Sequence, residues 1–482
     1  MKKILFAGSE AMPFAATGGL GDVMGSLPPA LKAAHPDWDI RAVIPLYSKI
    51  SEEYRSQMKF ECWANVAVSW RQQYCGIFSL ERGGVKYYFI DNEYYFKRDA
   101  LYGFFDDGER FAFFSNAILA LMGMVDFFPD VYSANDWQTA LSVILLKRRN
   151  GRSAGYSGVK AVYTIHNIEY QGVYGRETMG DLFGLDKMDA STVEFDGDVN
   201  LTKGAILCAD AVTTVSPKYA EEIQTPFFAH GLHNILREHN FKLSGIVNGI
   251  DVDFYNPKTD KDLKFNFSYR GLTGKAKNKA ALQEEYGLPV RPDVPVIAMV
   301  SRLADHKGFD LVREVAYELL ARDMQFVLLG TGDYDTECFF REYAARSGGK
   351  AGVKIEYNRK LSKLVYAGAD MFLMPSRSEP CGLAQMIASR YGTVPIVREA
   401  GGLYDTIKPY YEGAGNGFTF AAYNAHDMLN VIDQAIALYH DKEKWTALVK
   451  KVMKIDFSWN VSAEKYAELF LSLSPENETE HK

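Results

Sequence analysis

Two short stretches carry side chains suited to chemistry on a charged ligand. Glu379 lies in Met374-Pro375-Ser376-Arg377-Ser378-Glu379-Pro380-Cys381-Gly382-Leu383, where an apolar run from Ala369 ends in proline and a helix from Leu383 to Tyr391 is predicted. This pattern puts Glu379 in a loop at the carboxyl end of a strand. Open α/β sheets bind ligands there, and helix-start amides favour anions. Arg302 and Lys307 share one loop, Ser301-Arg302-Leu303-Ala304-Asp305-His306-Lys307-Gly308, again after a strand. Two cations beside a helix start make a clamp for a diphosphate leaving group. Solvated loop charges are the plain alternative. The coincidence of Arg302, Lys307, Glu379 and Gly401-Gly402 at four strand ends favours the clamp.

Glycine pairs form the next group. Gly18-Gly19 and Gly401-Gly402 each follow a strand and open a helix, within G-G-L-x-D at 18–22 and 401–405. Without a Cβ, such backbone can approach a phosphate closely; a tight turn is the alternative. Neither pair fits a P-loop or G-x-G-x-x-G, which disfavours nucleotide hydrolysis and hydride transfer. His166 and Asp136 also end strands, where a structural role is the commoner one. Trp137 suits either a sugar face or a core. No G-x-S-x-G is present, and no paired metal ligands at i, i+4, so no metal is expected.

The elements that must hold these residues alternate strand and helix along nearly the whole chain, which predicts parallel sheets with crossover helices. Strands are expected at 4–7, 41–45, 85–90, 131–134, 161–165 and 211–215. A second series follows at 296–300, 326–329, 353–357, 369–374 and 394–397. A helix is expected over 309–322. Residues 55–105 are rich in aromatics without a readable period. Residues 256–293 read as a polar, Lys-rich linker. The predicted domains are 1–250 and 251–455, with a terminal helical segment, 456–482, set off by Asp456-Phe457-Ser458-Trp459. At 482 residues, more than one core is required. A net charge of −7 argues against nucleic acid. Five scattered cysteines without a C-x-x-C indicate neither disulfides nor zinc, and no stretch has the length of a membrane span. A cytoplasmic protein is expected.

Taken in order, Thr17-Gly18-Gly19-Leu20-Gly21-Asp22-Val23, Thr164-Ile165-His166-Asn167, Val247-Asn248-Gly249-Ile250-Asp251, Val300-Ser301-Arg302-Leu303, His306-Lys307-Gly308, Glu379-Pro380-Cys381-Gly382-Leu383 and Asp456-Phe457-Ser458-Trp459 resemble the bacterial glycogen synthases and plant starch synthases. These are retaining glucosyltransferases of the GT-B fold. The resemblance implies two Rossmann-like doubly wound domains facing across a cleft, with the last helix crossing back to the first domain. It also implies a nucleotide-sugar donor, ADP-glucose, and an α-1,4-glucan acceptor, with no cofactor. The implied catalytic residues are Glu379, Arg302, Lys307, His166 and Asp136. The implied donor site adds Thr17, Gly18, Gly19, Asp22, Asn248, Tyr357, Cys381, Gly382, Leu383, Gly401, Gly402 and Leu403. In that scheme Arg302 and Lys307 hold the diphosphate, Glu379 binds the transferred glucose, Tyr357 lies near the base, and His166 completes the sugar site. Retention on one face, with the leaving phosphate taking the proton of the attacking hydroxyl, and double displacement through a carboxylate both remain open.

The chain departs from the family pattern in places. Ala16 stands where the first motif has Lys, Asn135 and Gln138 where His-Asp-Trp-His has its imidazoles, Asn358 where Tyr-His-Glu has His, and Ala400 where the later motif has Thr. UDP-glucose as donor, and a glucan-binding paralogue of low turnover, are therefore the alternatives.

Overall fold

A computed structural model describes residues 1–474. The chain divides into two compact units, Met1–Gly249 with Trp459–Lys482, and Ile250–Ser458.

The first unit is built on nine strands: β1 (Lys3–Ala7), β2 (Asp39–Pro45), β3 (Lys59–Val68), β4 (Arg71–Arg82), β5 (Val85–Asp91), β6 (Val131–Asn135), β7 (Lys160–Ile165), β11 (Ala211–Thr214) and β12 (Leu243–Gly245). A small separate sheet holds β8 (Val173–Tyr174), β9 (Glu194–Phe195) and β10 (Asp198–Asn200). The large sheet runs β12-β11-β7-β6-β1-β2-β5-β4-β3. Its central strands read as unbroken apolar runs because both faces are covered; Ile4 to Ala7 are all buried.

The sheet is not wholly parallel. β3–β4 and β4–β5 pair antiparallel, and this meander is the aromatic stretch whose period the sequence left unread. Gly83 and Gly84 both have positive φ, 58° and 75°, and close the β4–β5 hairpin as such two-residue turns require. Aromatics on both faces hid the alternation: Phe89 and Tyr87 pack on Phe14 at 5.0 and 5.1 Å, while Tyr88 is buried on the other face. The last helix, Trp459–Leu473, belongs to this unit. Phe470 meets Phe6 at 5.9 Å, and the Ser462 hydroxyl donates to Val247 O at 2.6 Å.

The second unit is one parallel sheet of β13 (Val296–Val300), β14 (Gln325–Leu329), β15 (Ala351–Lys354), β16 (Met371–Met374), β17 (Val394–Arg398) and β18 (Phe418–Phe420), ordered β15-β14-β13-β16-β17-β18. Three readings are corrected here. The stretch 256–293 is no linker: it holds the helix Thr273–Glu285, and two of its lysines, Lys275 and Lys279, are buried. Lys275 Nζ donates to Ala367 O, Ala369 O and Tyr391 O at 3.2, 2.9 and 3.0 Å. Lys279 Nζ pairs with Asp370 at 2.7 Å. Buried ammonium groups persist only with such partners, so these lysines tie the helix to the sheet. The helix expected over 309–322 breaks at Val315 into Phe309–Glu314 and Ala316–Ala321. The strand expected at 353–357 ends at Lys354, because the Asn358 side chain caps the next helix by accepting from Leu361 N at 2.9 Å.

Candidate active site

In the second unit the first strand, β13, is followed on one side by β14 and β15 and on the other by β16 to β18. The topology therefore switches direction between β13 and β16, which pair at Ile297↔Met371 and Ala298↔Phe372. The loops leaving the carboxyl ends of these two strands border the crevice where doubly wound sheets bind ligands. One loop carries Arg302 and Lys307, the other Ser376 and Glu379.

Lys307 Nζ lies 2.9 and 2.7 Å from the two Glu379 oxygens. The Ser376 hydroxyl donates to Glu379 Oε2 at 3.0 Å. Glu379 is buried, 6% exposed, so this is a shielded ion pair at the crevice floor. The two loops touch directly. Arg377 N donates to His306 O at 2.8 Å. A Cβ on Gly308 (φ 77°) would stand 2.1 Å from Pro375 O, so only glycine fits there. Arg302 is exposed, and its guanidinium has no partner among the described residues. It is a free cation beside a neutralised one.

The second glycine pair serves this loop in a way the sequence did not show. A Cβ on Gly401 (φ 44°) would meet Glu379 O at 2.0 Å, and one on Gly402 would meet Cys381 O at 2.1 Å. Gly402 N already donates to Glu379 O and Pro380 O, both at 3.2 Å, and Leu403 N to Ala400 O at 3.0 Å. The Gly402 amide thus braces the Glu379 loop, and the Leu403 amide closes its own turn. Gly382 (φ 71°) and Leu383 stand just before the helix Ala384–Arg390, and their N–H groups find no acceptor among the described residues. Cys381 is buried. Tyr357, after β15, is 88% exposed, a free ring face.

The first unit has its own switch point, between β1 and β6. The loop after β1 leads to Thr17, Gly18 and Gly19, all exposed, and Gly19 opens the helix Gly19–Ala34. A Cβ on Gly18 or Gly19 would meet nothing within 4 Å. This pair faces open space, unlike Gly401-Gly402. The loop is anchored by Glu10, absent from the expected site. Glu10 Oε2 accepts from Thr17 N and, at 3.1 Å, from the Thr17 hydroxyl. Burial raises the Glu10 carboxyl to about 7, against the pull of the Thr17 and Gly18 amides and with a push from Asp22 in the helix's first turn. The signal in the sequence was an acid directly after a buried strand and before a glycine loop.

After β6, Asp136 accepts from His166 N at 2.7 Å. Its backbone is at φ 58° and ψ 178°, outside the left-handed region and in one that side chains rarely adopt. Burial lifts its carboxyl to about 7, opposed by the His166 and Asn167 amides. This carboxyl holds the strand-end loop of β7 in place. His166 is buried, its pKa pushed down to about 3, and its Nε2 lies 2.9 Å from Asn135 Oδ1. Trp137 joins an aromatic cluster with Phe111 and Tyr174 at 5.3 and 5.9 Å. Asn248 is buried, and its Oδ1 has no partner among the described residues. No group of three or more His, Cys, Asp or Glu among the described residues could hold a metal ion, and no helix among them is long and apolar enough to cross a membrane.

Residues 3–238 match the starch synthase catalytic domain, and 284–452 match glycosyl transferases group 1. The chain is 50% identical over 475 residues to the glycogen synthase of Ligilactobacillus salivarius (strain UCC118), covering 98% of this chain and 100% of that protein. It is 49% identical over 474 residues to the glycogen synthase of Bacillus cereus (strain B4264), covering 98% and 99%. Among solved structures it is similar to the catalytic domain of starch synthase IV from Arabidopsis thaliana bound to ADP and acarbose. There the TM-score is 0.89 and the identity 34%, covering 98% of this chain and 99% of that one. A sucrose-phosphate synthase from Thermosynechococcus elongatus shares the fold at a TM-score of 0.63 and 16% identity. With both family models matched and near-complete coverage at half identity, the chain belongs to the glycogen synthase and starch synthase family, hexosyltransferases of the GT-B fold.

Proposed function

We propose that the protein transfers glucose from ADP-glucose to the non-reducing 4-hydroxyl of an α-1,4-glucan with retention of configuration. The observation that carries this reading is the pairing of Lys307 with Glu379 beside a free Arg302 at the β13/β16 switch point. A nucleoside diphosphate arriving there meets Arg302 at once and competes with Glu379 for Lys307. As Lys307 turns to phosphate, the Glu379 oxygens become acceptors for glucose hydroxyls. Breaking the anomeric C–O bond leaves negative charge on the diphosphate, where both cations lower the barrier. The exposed Tyr357 ring offers the base a stacking face.

ADP as the nucleotude's identity is supported by the similar starch synthase, which is bound to ADP and acarbose. Asn358, one of the departures that raised UDP-glucose, is absorbed as a helix cap. Same-face retention is favoured by Asp136, whose carboxyl is committed to the His166 and Asn167 amides and is not poised as a nucleophile.

The test is glucosyl transfer to glycogen from labelled ADP-glucose and, separately, UDP-glucose, with Glu379→Ala as control. Incorporation from ADP-glucose is expected. Preference for UDP-glucose would overturn the donor, and no incorporation from either would overturn the reaction.

A further inference from the structure

We propose that Asn135 is a positioning residue that sets the tautomer of His166, so that this imidazole presents a bare Nδ1 lone pair to a hydroxyl of a sugar bound at the carboxyl edge of the first unit's sheet. The proposal deepens the glucosyl-transfer reading and rests on it for the identity of the ligand.

Asn135 closes β6 and is buried. Its Nδ2 donates to Ala7 O at 2.9 Å and to Ser133 O at 3.2 Å. Those two carbonyls decide which way the amide points, since the flipped form would set Oδ1 against two acceptors. Oδ1 therefore faces the ring, 2.9 Å from His166 Nε2. An amide oxygen only accepts, so Nε2 carries the hydrogen. Burial keeps the ring neutral, so Nδ1 carries none. Nδ1 has no partner among the described residues and is left as an acceptor.

The neighbouring residue secures the other end. Asp136 takes the His166 main-chain N–H at 2.7 Å, so consecutive residues fix the ring and its root. The histidine that the family motif carries at 135 could not repeat this, because one imidazole cannot donate to two carbonyls and also accept. An amide can do all three. In this arrangement His166 accepts a hydrogen bond from a sugar hydroxyl and transfers no proton. The absent imidazole at 135 is then a change of device, not a loss of function.

The experiment is NMR of the full-length protein labelled with 15N-histidine, near neutral pH, with the His166 signals assigned by their loss in His166→Gln. The neutral Nε2–H form is expected in the unmodified protein. Asn135→Leu, which removes the acceptor, is expected to mix in the Nδ1–H form and to lower kcat about tenfold, the worth of one hydrogen bond. Asn135→Gln keeps an amide with both its acceptor and its donors and is expected to keep the Nε2–H form. An Nδ1–H ring in the unmodified protein, or an unchanged tautomer in Asn135→Leu, would overturn the proposal. So would an altered tautomer with undiminished turnover. Should Asn135→Leu fail to fold, the unmodified protein and Asn135→Gln still decide the tautomer. The spectrum is read without turnover, so inactivity towards both nucleotide sugars would count against the glucosyl-transfer reading alone.

Discussion

Lys307 and Glu379 are joined by two contacts, 2.9 and 2.7 Å, across 72 residues of chain. The pair ties the loop after β13 to the loop after β16 and stores a cation and an acceptor in one place. Removing Glu379 leaves the half-buried Lys307, its side chain 17% exposed, without its partner. Glu379→Gln is therefore expected to cost about 3 kcal/mol of stability and at least a hundredfold in transfer. The double variant Lys307→Met with Glu379→Gln is expected to regain much of the stability and none of the activity. Denaturant unfolding of the two variants, each beside a transfer assay, checks this; recovery of both properties together would refute it.

Arg302 is expected to behave oppositely. It is exposed and unpaired among the described residues, so Arg302→Ala should leave the unfolding midpoint within experimental scatter. Turnover should fall on the order of a hundredfold, as for a lost donor at a developing anion. Arg346→Ala, on an exposed helix position paired to Glu342, is the control. Equal and small losses in both variants would show that Arg302 is a solvated surface charge.

The two glycine pairs separate cleanly. Gly401→Ala puts a Cβ 2.0 Å from Glu379 O at a positive φ, and a cost of about 2 kcal/mol or more is expected. Transfer should fall with it, because the carbonyl displaced belongs to Glu379. Gly19→Ala meets open space at a helix start and should change stability by less than about 0.5 kcal/mol. Any loss of activity in Gly19→Ala then reports a ligand near the loop. Thermal unfolding and initial rates distinguish the two.

Acidity supplies a fourth test. The folded-state pKa of Glu10 is raised from 4.5 to about 7, so between those values the folded protein binds the proton more tightly than the unfolded chain. Its contribution favours folding at acid pH and is lost as pH rises towards 7. His166, lowered to about 3, contributes in the opposite sense: its stability is present above the unfolded value near 6.5 and is lost as pH falls. Glu10→Gln should therefore make the stability of the protein rise more steeply, or fall less steeply, from pH 4.5 to pH 7. Unfolding free energies measured across that range check the slope, and an unchanged slope would mean that Glu10 is not buried beside Thr17.

Much of this site was legible because its residues follow strands. Arg302, Lys307, Glu379, Asp136 and His166 each stand after a short apolar run, and strand–helix alternation places such positions at one edge of a sheet. Their neighbours were not legible. Glu10 follows β1 as the others follow their strands, but nothing local distinguishes an acid that anchors a loop from a solvated one. Gly18-Gly19 and Gly401-Gly402 share a motif and differ in role, since one pair looks onto open space and the other lies against the backbone of Glu379 and Cys381. Lys275 and Lys279 read as surface charge until the carbonyls they meet, about a hundred residues further on for Lys275, are placed beside them.

The sequence by itself determined the two α/β series, the family and the set of reactive side chains, because periodicity and motif spacing are local properties. Only the tertiary structure decided the strand order, and with it the switch points that bring Lys307 to Glu379 and Asn135 to His166. It also decided which charges are spent on each other, that Arg302 alone of the clamp stands free, and which amides are already bonded. Those outcomes depend on which strands become neighbours and how closely loops approach, and neither is encoded within any single stretch of chain.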